Sequence, residues 1–171
     1  MDFTRVINGR ESVRSYDPTR PVDKAVMDRI LEAGRIAPSA ANRQPWKFLV
    51  VSSREMLSQV RRSYPKPWFA DAPQILVLVG RTGEAWTRQD GWNSIETDLA
   101  IAMDHVILAA ENEGVATCWV SSFDPTVLRV ALSLTSEDRV YAVTPLGYPR
   151  PGFTKKGQRQ RKALTDVVRY L

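Results

Sequence analysis

Apolar positions along this chain recur at helical spacing in some stretches and run unbroken in others, and the two patterns alternate. Phe3, Val6 and Ile7 share one face of a short helix that Gly9 stops. Residues 10–16 read as extended and end at Asp17-Pro18. A second helix starts from Asp23, a good N-cap, and carries an apolar stripe of Val26, Ile30, Leu31 and Ile36. Gly34 weakens its end, and Pro38 marks the boundary. Residues 37–46 form a loop of small and polar residues, and 48–51 a strand. Ser53 caps a short helix running through Arg62, with Met56, Leu57 and Val60 inward. A Pro- and aromatic-rich connection follows over 64–73.

The unbroken apolar run 75–79 is what a strand covered on both faces looks like. After a polar loop over 81–93 comes a long helix, roughly 95–113, stopped by Gly114. Its apolar residues spread around more than one face, which suits a central helix or a subunit interface. Residues 115–120 read as a strand, Asp124-Pro125 opens another helix, and 140–146 is a strand broken at Gly147-Tyr148-Pro149. A basic, loop-like tail over 150–162 leads to a short final element over 164–171. Alternating strands and helices predict a mixed α and β fold with helices flanking one sheet. No repeat or linker divides the chain, so one domain is expected over residues 1–171.

Composition narrows the chemistry more than the fold. The 171 residues, 43% apolar and 25% charged, suit a globular domain rather than disorder or a coiled coil. No stretch is long enough to span a membrane, and the N-terminus has no apolar signal region, so a cytoplasmic protein is expected. One cysteine, Cys118, and one histidine, His105, leave no intrachain disulfide, no paired-cysteine metal cluster and no HExxH motif. No metal site is expected, and enzyme chemistry here would belong to an organic cofactor. Cys118 and His105 both sit in apolar stretches and read as core residues. The net charge of +5 suits an anionic partner: a cofactor phosphate, nucleic acid or an acidic membrane surface. From composition alone, a solvated basic surface is the favoured reading.

Three segments carry candidate chemistry. In extended backbone, Arg10, Ser12 and Arg14 line one side as two guanidiniums bracketing a hydroxyl, a comb for a phosphate or a planar acceptor edge. Around Pro38, Ser39 and Ala40 the small residues allow close approach to a flat ligand, and Asn42 and Gln44 offer amides to a heterocycle. The tail's Arg159, Arg161 and Lys162 can hold a phosphate. Each segment, taken alone, is also an ordinary surface or loop. There is no GxGxxG and no Walker loop; Gly80-Arg81-Thr82-Gly83 has the wrong spacing.

In order and separation, these segments resemble the nitroreductase family of FMN enzymes. The resemblance lies in Arg10-x-Ser12-x-Arg14-x-Tyr16, Ala37-Pro38-Ser39-Ala40-x-Asn42-x-Gln44-Pro45-Trp46 and residues 114–120 after the long helix. It continues through Pro145-Leu146-Gly147-Tyr148-Pro149 and Arg159-x-Arg161-Lys162-x-Leu164. It implies an α+β, three-layer α/β/α fold with a mixed, mainly antiparallel sheet, in an intertwined homodimer with FMN at the interface. Arg10 would lie by the phosphate and Arg14 nearer the flavin pyrimidine, with Ser12 between them. Pro38, Ser39, Ala40 and Asn42 would come from the partner.

The resemblance also places the backbone N–H groups of Ser121 and Ser122 near flavin N5, and Gly147 beside the cofactor. Arg159, Arg161 and Lys162 would complete the phosphate clamp, and no side chain of the protein would be catalytic. The implied activity is ping-pong hydride transfer from NAD(P)H, a transient co-substrate, to a small-molecule acceptor such as a nitroaromatic or quinone. Reductive dehalogenation or flavin breakdown on the same fold is one alternative. A basic nucleic-acid-binding module without redox activity is the alternative of another class. The sequence departs from many relatives at 64–68, where Tyr64-Pro65-Lys66-Pro67-Trp68 has no amide for the pyrimidine. In the loop 81–93, Trp86 and Trp92 either roof the flavin or pack the loop onto the domain.

Overall fold

The computed structural model describes residues 2–157 and 159–171. Its centre is β2 (Gln74–Arg81), where Ile75 to Val79 leave neither face polar. The two faces are covered by different helices. Ile75, Val77 and Val79 pack with Leu57 and Val60 of α3 (Arg54–Val60), Phe69 of α4 (Pro67–Ala70) and Leu128 of α6 (Pro125–Ala131). On the other face, Leu76 meets Met27 and Ile30 of α2 (Lys24–Arg35) and Val106 of α5 (Ile95–Asn112). Leu78 meets Leu99 and Met103 of α5. The result is the three-layer α/β/α arrangement expected.

The sheet has the order β1-β2-β4-β3, with β1 (Trp46–Val51), β3 (Ala116–Thr117) and β4 (Asp138–Gly147), and every neighbouring pair is antiparallel. A single parallel bridge between Ser12 and Thr117 adds the extended N-terminal segment at the β3 edge, making the sheet mixed. β1 forms the opposite edge. No helix among the described residues is long and apolar enough to cross a membrane.

Several local expectations hold for identifiable reasons. Asp124 caps α6 by accepting the Thr126 and Val127 N–H groups at 2.8 and 3.2 Å. Ser53 caps α3 through the Met56 N–H. Gly114, with φ of 73°, ends the long helix in the left-handed conformation that glycine takes without steric cost. His105 hydrogen-bonds the Ala33 carbonyl at 3.2 Å, a structural role. Cys118 is a buried member of the core under β2.

Two expectations are corrected, and one glycine gains a second role. Residues 115–120 do not form one continuous strand: β3 is two residues long, and Val120 pairs separately with Val143. Between them the Cys118 N–H donates to Thr144 Oγ1 at 3.1 Å instead of to a strand carbonyl. The 64–73 connection contains α4, with Pro67 in its first turn and Phe69 fully buried. Gly34, near the end of α2, also has a packing role that its low helix propensity does not reveal. The helix runs on to Arg35, and a Cβ at Gly34 would stand 2.6 Å from Val106 Cγ2 and 2.7 Å from Phe48 Cζ. That glycine lets α2 approach α5 and the sheet.

Candidate flavin site

α1 (Phe3–Gly9) lies against the C-terminal half of α5, and the tail folds back over its last turn. Lys155 Nζ donates to the Gly9 carbonyl at 2.8 Å and pairs with Glu111. The Lys156 N–H donates to the Glu11 carboxylate at 3.1 Å. Arg159 reaches the Asn8 and Ile7 carbonyls at 3.3 and 3.4 Å. These bonds shape a cavity of about 670 Å³ lined by Arg10, Lys155, Arg159 and Arg161 among others. Burial, then the charges of Arg159 and Arg161, hold the Arg10 pKa below the usual guanidinium value. Converging guanidiniums that repel one another in a pocket make a site for a multiply charged anion. Two neighbouring carboxylates, Glu11 and Glu111, are engaged by the tail, and Asp104 of α5, with Glu111, opposes the lowering at Arg10 only in part. A dianionic phosphate fits this donor set.

Beyond Arg10 the chain is extended as the sequence implied. Val13 is buried and donates its N–H to the Thr117 carbonyl at 2.9 Å, which turns Ser12 and Arg14 outward on the other side. The Tyr16 hydroxyl donates back to the Val13 carbonyl at 2.9 Å, and burial pushes its pKa well up. Arg14 lies over the ring of Trp68. Burial raises the Cys118 thiol pKa as well, against the opposing charge of Arg14.

The second candidate segment lies elsewhere. The Ala40 N–H donates to Asp98 Oδ1 at 2.9 Å, which ties residues 38–42 to the first turn of α5. Asp98 and Glu111 are thirteen residues apart, about 20 Å along the helix. Within one chain, therefore, Arg10 and Ser12 to Arg14 sit at one end of α5 and Pro38 to Asn42 at the other. The second segment is strained: Ala41, Asn42 and Gln44 have φ of 50°, 54° and 51°, each costing roughly 1–3 kcal/mol. Gln44 is held by an N–H bond to Ser39 Oγ at 2.9 Å.

A model of the family described as Nitroreductase matches residues 7–64 and 56–148. The chain belongs to the nitroreductase family. Its fold agrees closely with a solved nitroreductase family protein from Clostridium difficile 630, at a TM-score of 0.87 and 29% identity, covering 99% of this chain and 98% of that one. A Methanothermobacter thermautotrophicus protein, provisionally named NADH dehydrogenase/NAD(P)H nitroreductase, is 29% identical over 153 residues, 87% of this chain and 78% of its own. An iodotyrosine deiodinase from Daphnia pulex is 26% identical over 200 residues, 98% of this chain and 65% of its own.

Against this nitroreductase framework the remaining sequence candidates divide. Ser121 and Ser122 are exposed, just beyond the Val120–Val143 bridge. Lys162 is exposed and does not line the cavity; Arg161 does. Gly147 is a packing position, since a Cβ there would meet Pro73 Cδ at 2.8 Å. In the loop 81–93, Trp86 and Trp92 meet edge to face at 6.4 Å, and Arg88, paired with Asp90, lies over Trp92. Gln158 of the tail lies outside the described residues.

Sequence reasoning missed three participants. In the sequence Lys155 is one cation of a basic run, and Trp68 stands only within the departure from relatives at 64–68. Asp98 went unremarked, although an acidic residue among Ile95, Leu99 and Ala102 on a buried helix face was a signal that it had partners.

Proposed function

We propose that this nitroreductase family member is an FMN-dependent oxidoreductase that works as a homodimer and takes hydride from NAD(P)H. The observation that carries the reading is the convergence of Arg10, Arg159 and Arg161 on one cavity, with the Ser12–Arg14 comb next to it in the chain. When bound, the flavin would supply the redox chemistry of hydride transfer. The arginines would hold the cofactor phosphate. Arg14 would offer a positive charge to the ring, which favours its reduced form. No side-chain acid or base is needed for that step. The relative provisionally named NADH dehydrogenase/NAD(P)H nitroreductase supports the choice of reductant. A nitroaromatic or quinone is the proposed acceptor, in ping-pong turnover.

The positions of the two segments support the dimer. A two-fold axis across α5 would set the helices antiparallel and bring residues 38–42 of one chain toward 10–14 of the other. Phe3 is 67% exposed on α1, and Ile101 and Leu108 of α5 are only half-buried, which leaves an apolar face for such a partner. The C-terminal segment is exposed throughout, with Leu164, Val167, Tyr170 and Leu171 outward, while among the described residues the β1 edge has no strand neighbour.

The test is the visible spectrum of the purified protein after incubation with FMN and removal of the excess. Flavin bands at about one FMN per chain, bleached by NADH or NADPH, are expected. A colourless protein that binds nucleic acid with steep salt dependence would instead favour the binding-module reading. The deiodinase relative favours a second acceptor class, halogenated phenols, and a screen of both classes against reduced protein separates the two.

A further inference from the structure

We propose that Asp98 is a positioning residue that holds the flavin-facing segment 38–42 and the tryptophan loop 86–93 in fixed relation, one carboxylate oxygen serving each. The inference rests on the FMN reading above. Asp98 is 1% exposed and sits in the first turn of α5, where the helix dipole favours its charge. Its Oδ1 accepts the Ala40 N–H at 2.9 Å, and its Oδ2 accepts the Ser94 hydroxyl at 2.7 Å.

Each of these donors holds a further segment. Ala40 opens the turn whose next two residues, Ala41 and Asn42, are left-handed without being glycine. Such backbone does not keep its shape unaided, and the bond to Asp98 fixes it to the most buried helix of the fold. Ser94 donates its N–H to the Trp86 carbonyl at 2.9 Å, closing the base of the loop in which Thr87 bridges Asn93 and Trp86 meets Trp92. Asn93 reinforces that base by donating to Thr87 Oγ1 at 2.7 Å and accepting the Ile95 N–H at 3.1 Å. A buried carboxylate is costly without partners, and here one partner belongs to the segment read as flavin-facing and the other to the base of the tryptophan loop. The Trp loop and the flavin segment are thereby built as one wall.

The experiment compares the parent protein with Asp98→Ala, Asp98→Asn and Ser94→Ala. FMN affinity is read by fluorescence titration, and hydrogen exchange is followed in peptides covering 38–46 and 86–94. Asp98→Ala is expected to weaken FMN binding by about tenfold or more and to speed exchange in both segments, with far-UV circular dichroism unchanged. Asp98→Asn, which still accepts from Ala40 and meets the Ser94 hydroxyl, is expected to stay within about threefold of the parent. Ser94→Ala is expected to free 86–94 alone. A folded Asp98→Ala protein that binds FMN as the parent does overturns this inference and leaves the FMN reading standing. A parent without FMN affinity overturns both. Should Asp98→Ala not fold, Ser94→Ala decides: unchanged exchange in 86–94, or equal loosening of 38–46, overturns the proposal.

Discussion

The Arg14 guanidinium lies 5.7 Å from the centre of the Trp68 ring. Trp68 belongs to the segment in which the sequence lacks the amide many relatives have, and it is itself fixed edge-on by Tyr64 and Phe69. The ring gives Arg14 an aromatic floor instead of an amide neighbour. A cation over an aromatic face gains about 0.5–2 kcal/mol. Trp68→Ala is therefore expected to weaken FMN binding by roughly two- to thirtyfold and Trp68→Phe by less, as checked by equilibrium titration.

The proposed clamp of Arg10 and Arg159 predicts selectivity for the phosphate. Charge-assisted hydrogen bonds contribute about 1.5–3 kcal/mol each. Arg10→Ala or Arg159→Ala is expected to cost roughly ten- to a hundredfold in FMN affinity while leaving riboflavin affinity nearly unchanged. Equal losses for the two flavins would place these arginines away from the phosphate.

Much of this site could be read from the sequence because it depends on local periodicity. Alternation in 10–14 was enough to set Arg10, Ser12 and Arg14 on one side, and Val13, buried beneath, agrees. What could not be read depends on contacts across the chain. Asp98 gains its meaning from Ala40, fifty-eight residues away, and Gly34 from Val106 and Phe48. Helix propensity marks a glycine as a weak point, whereas close packing makes it indispensable; only the fold distinguishes the two. The left-handed run at Ala41, Asn42 and Gln44 was hidden for the same reason, since nothing local favours it at alanine or glutamine.

Gly34 makes that contrast measurable. Alanine would gain about 1 kcal/mol of intrinsic helix preference, but its Cβ would press on the buried side chain of Val106 and on Phe48. Overpacking of this kind costs about 1–3 kcal/mol. Gly34→Ala is expected to lower the thermal midpoint, by about 2–4 °C per kcal/mol of net loss, in a calorimetric scan. An unchanged or raised midpoint would show that α2 can shift to accommodate the methyl.

Asp138 contributes stability that is lost in acid. It accepts Arg81 Nε at 2.9 Å and the Thr135 N–H and hydroxyl at 2.9 and 2.8 Å. Arg81, foremost, holds its pKa at about 2, below the ordinary 3.8. Because the folded pKa is depressed, the contribution is fully present above the ordinary value and is lost as pH falls from 3.8 toward 2. Asp138→Asn is expected to lower stability at neutral pH by about 1–3 kcal/mol and to flatten its pH dependence in that acid window. Denaturant titrations at pH 7 and pH 3 check both effects.

The C-terminal segment gives the sharpest test of the proposed dimer. Residues 164–171 are exposed along their whole length, Tyr170 at 91%, although five of these eight residues are apolar or aromatic. Within one chain they bury almost nothing, so deleting them removes little that holds the fold together. In a dimer they would cover a partner, for which the unpaired β1 edge offers free N–H and C=O groups. A chain ending at Ala163 is therefore expected to keep its far-UV circular dichroism, to sediment as a monomer and to lose FMN. Because residues 10–14 and 38–42 lie at opposite ends of α5, a monomer would hold only half of a flavin site. A truncated protein that remains dimeric and retains FMN would assign the interface to the α1 and α5 faces alone.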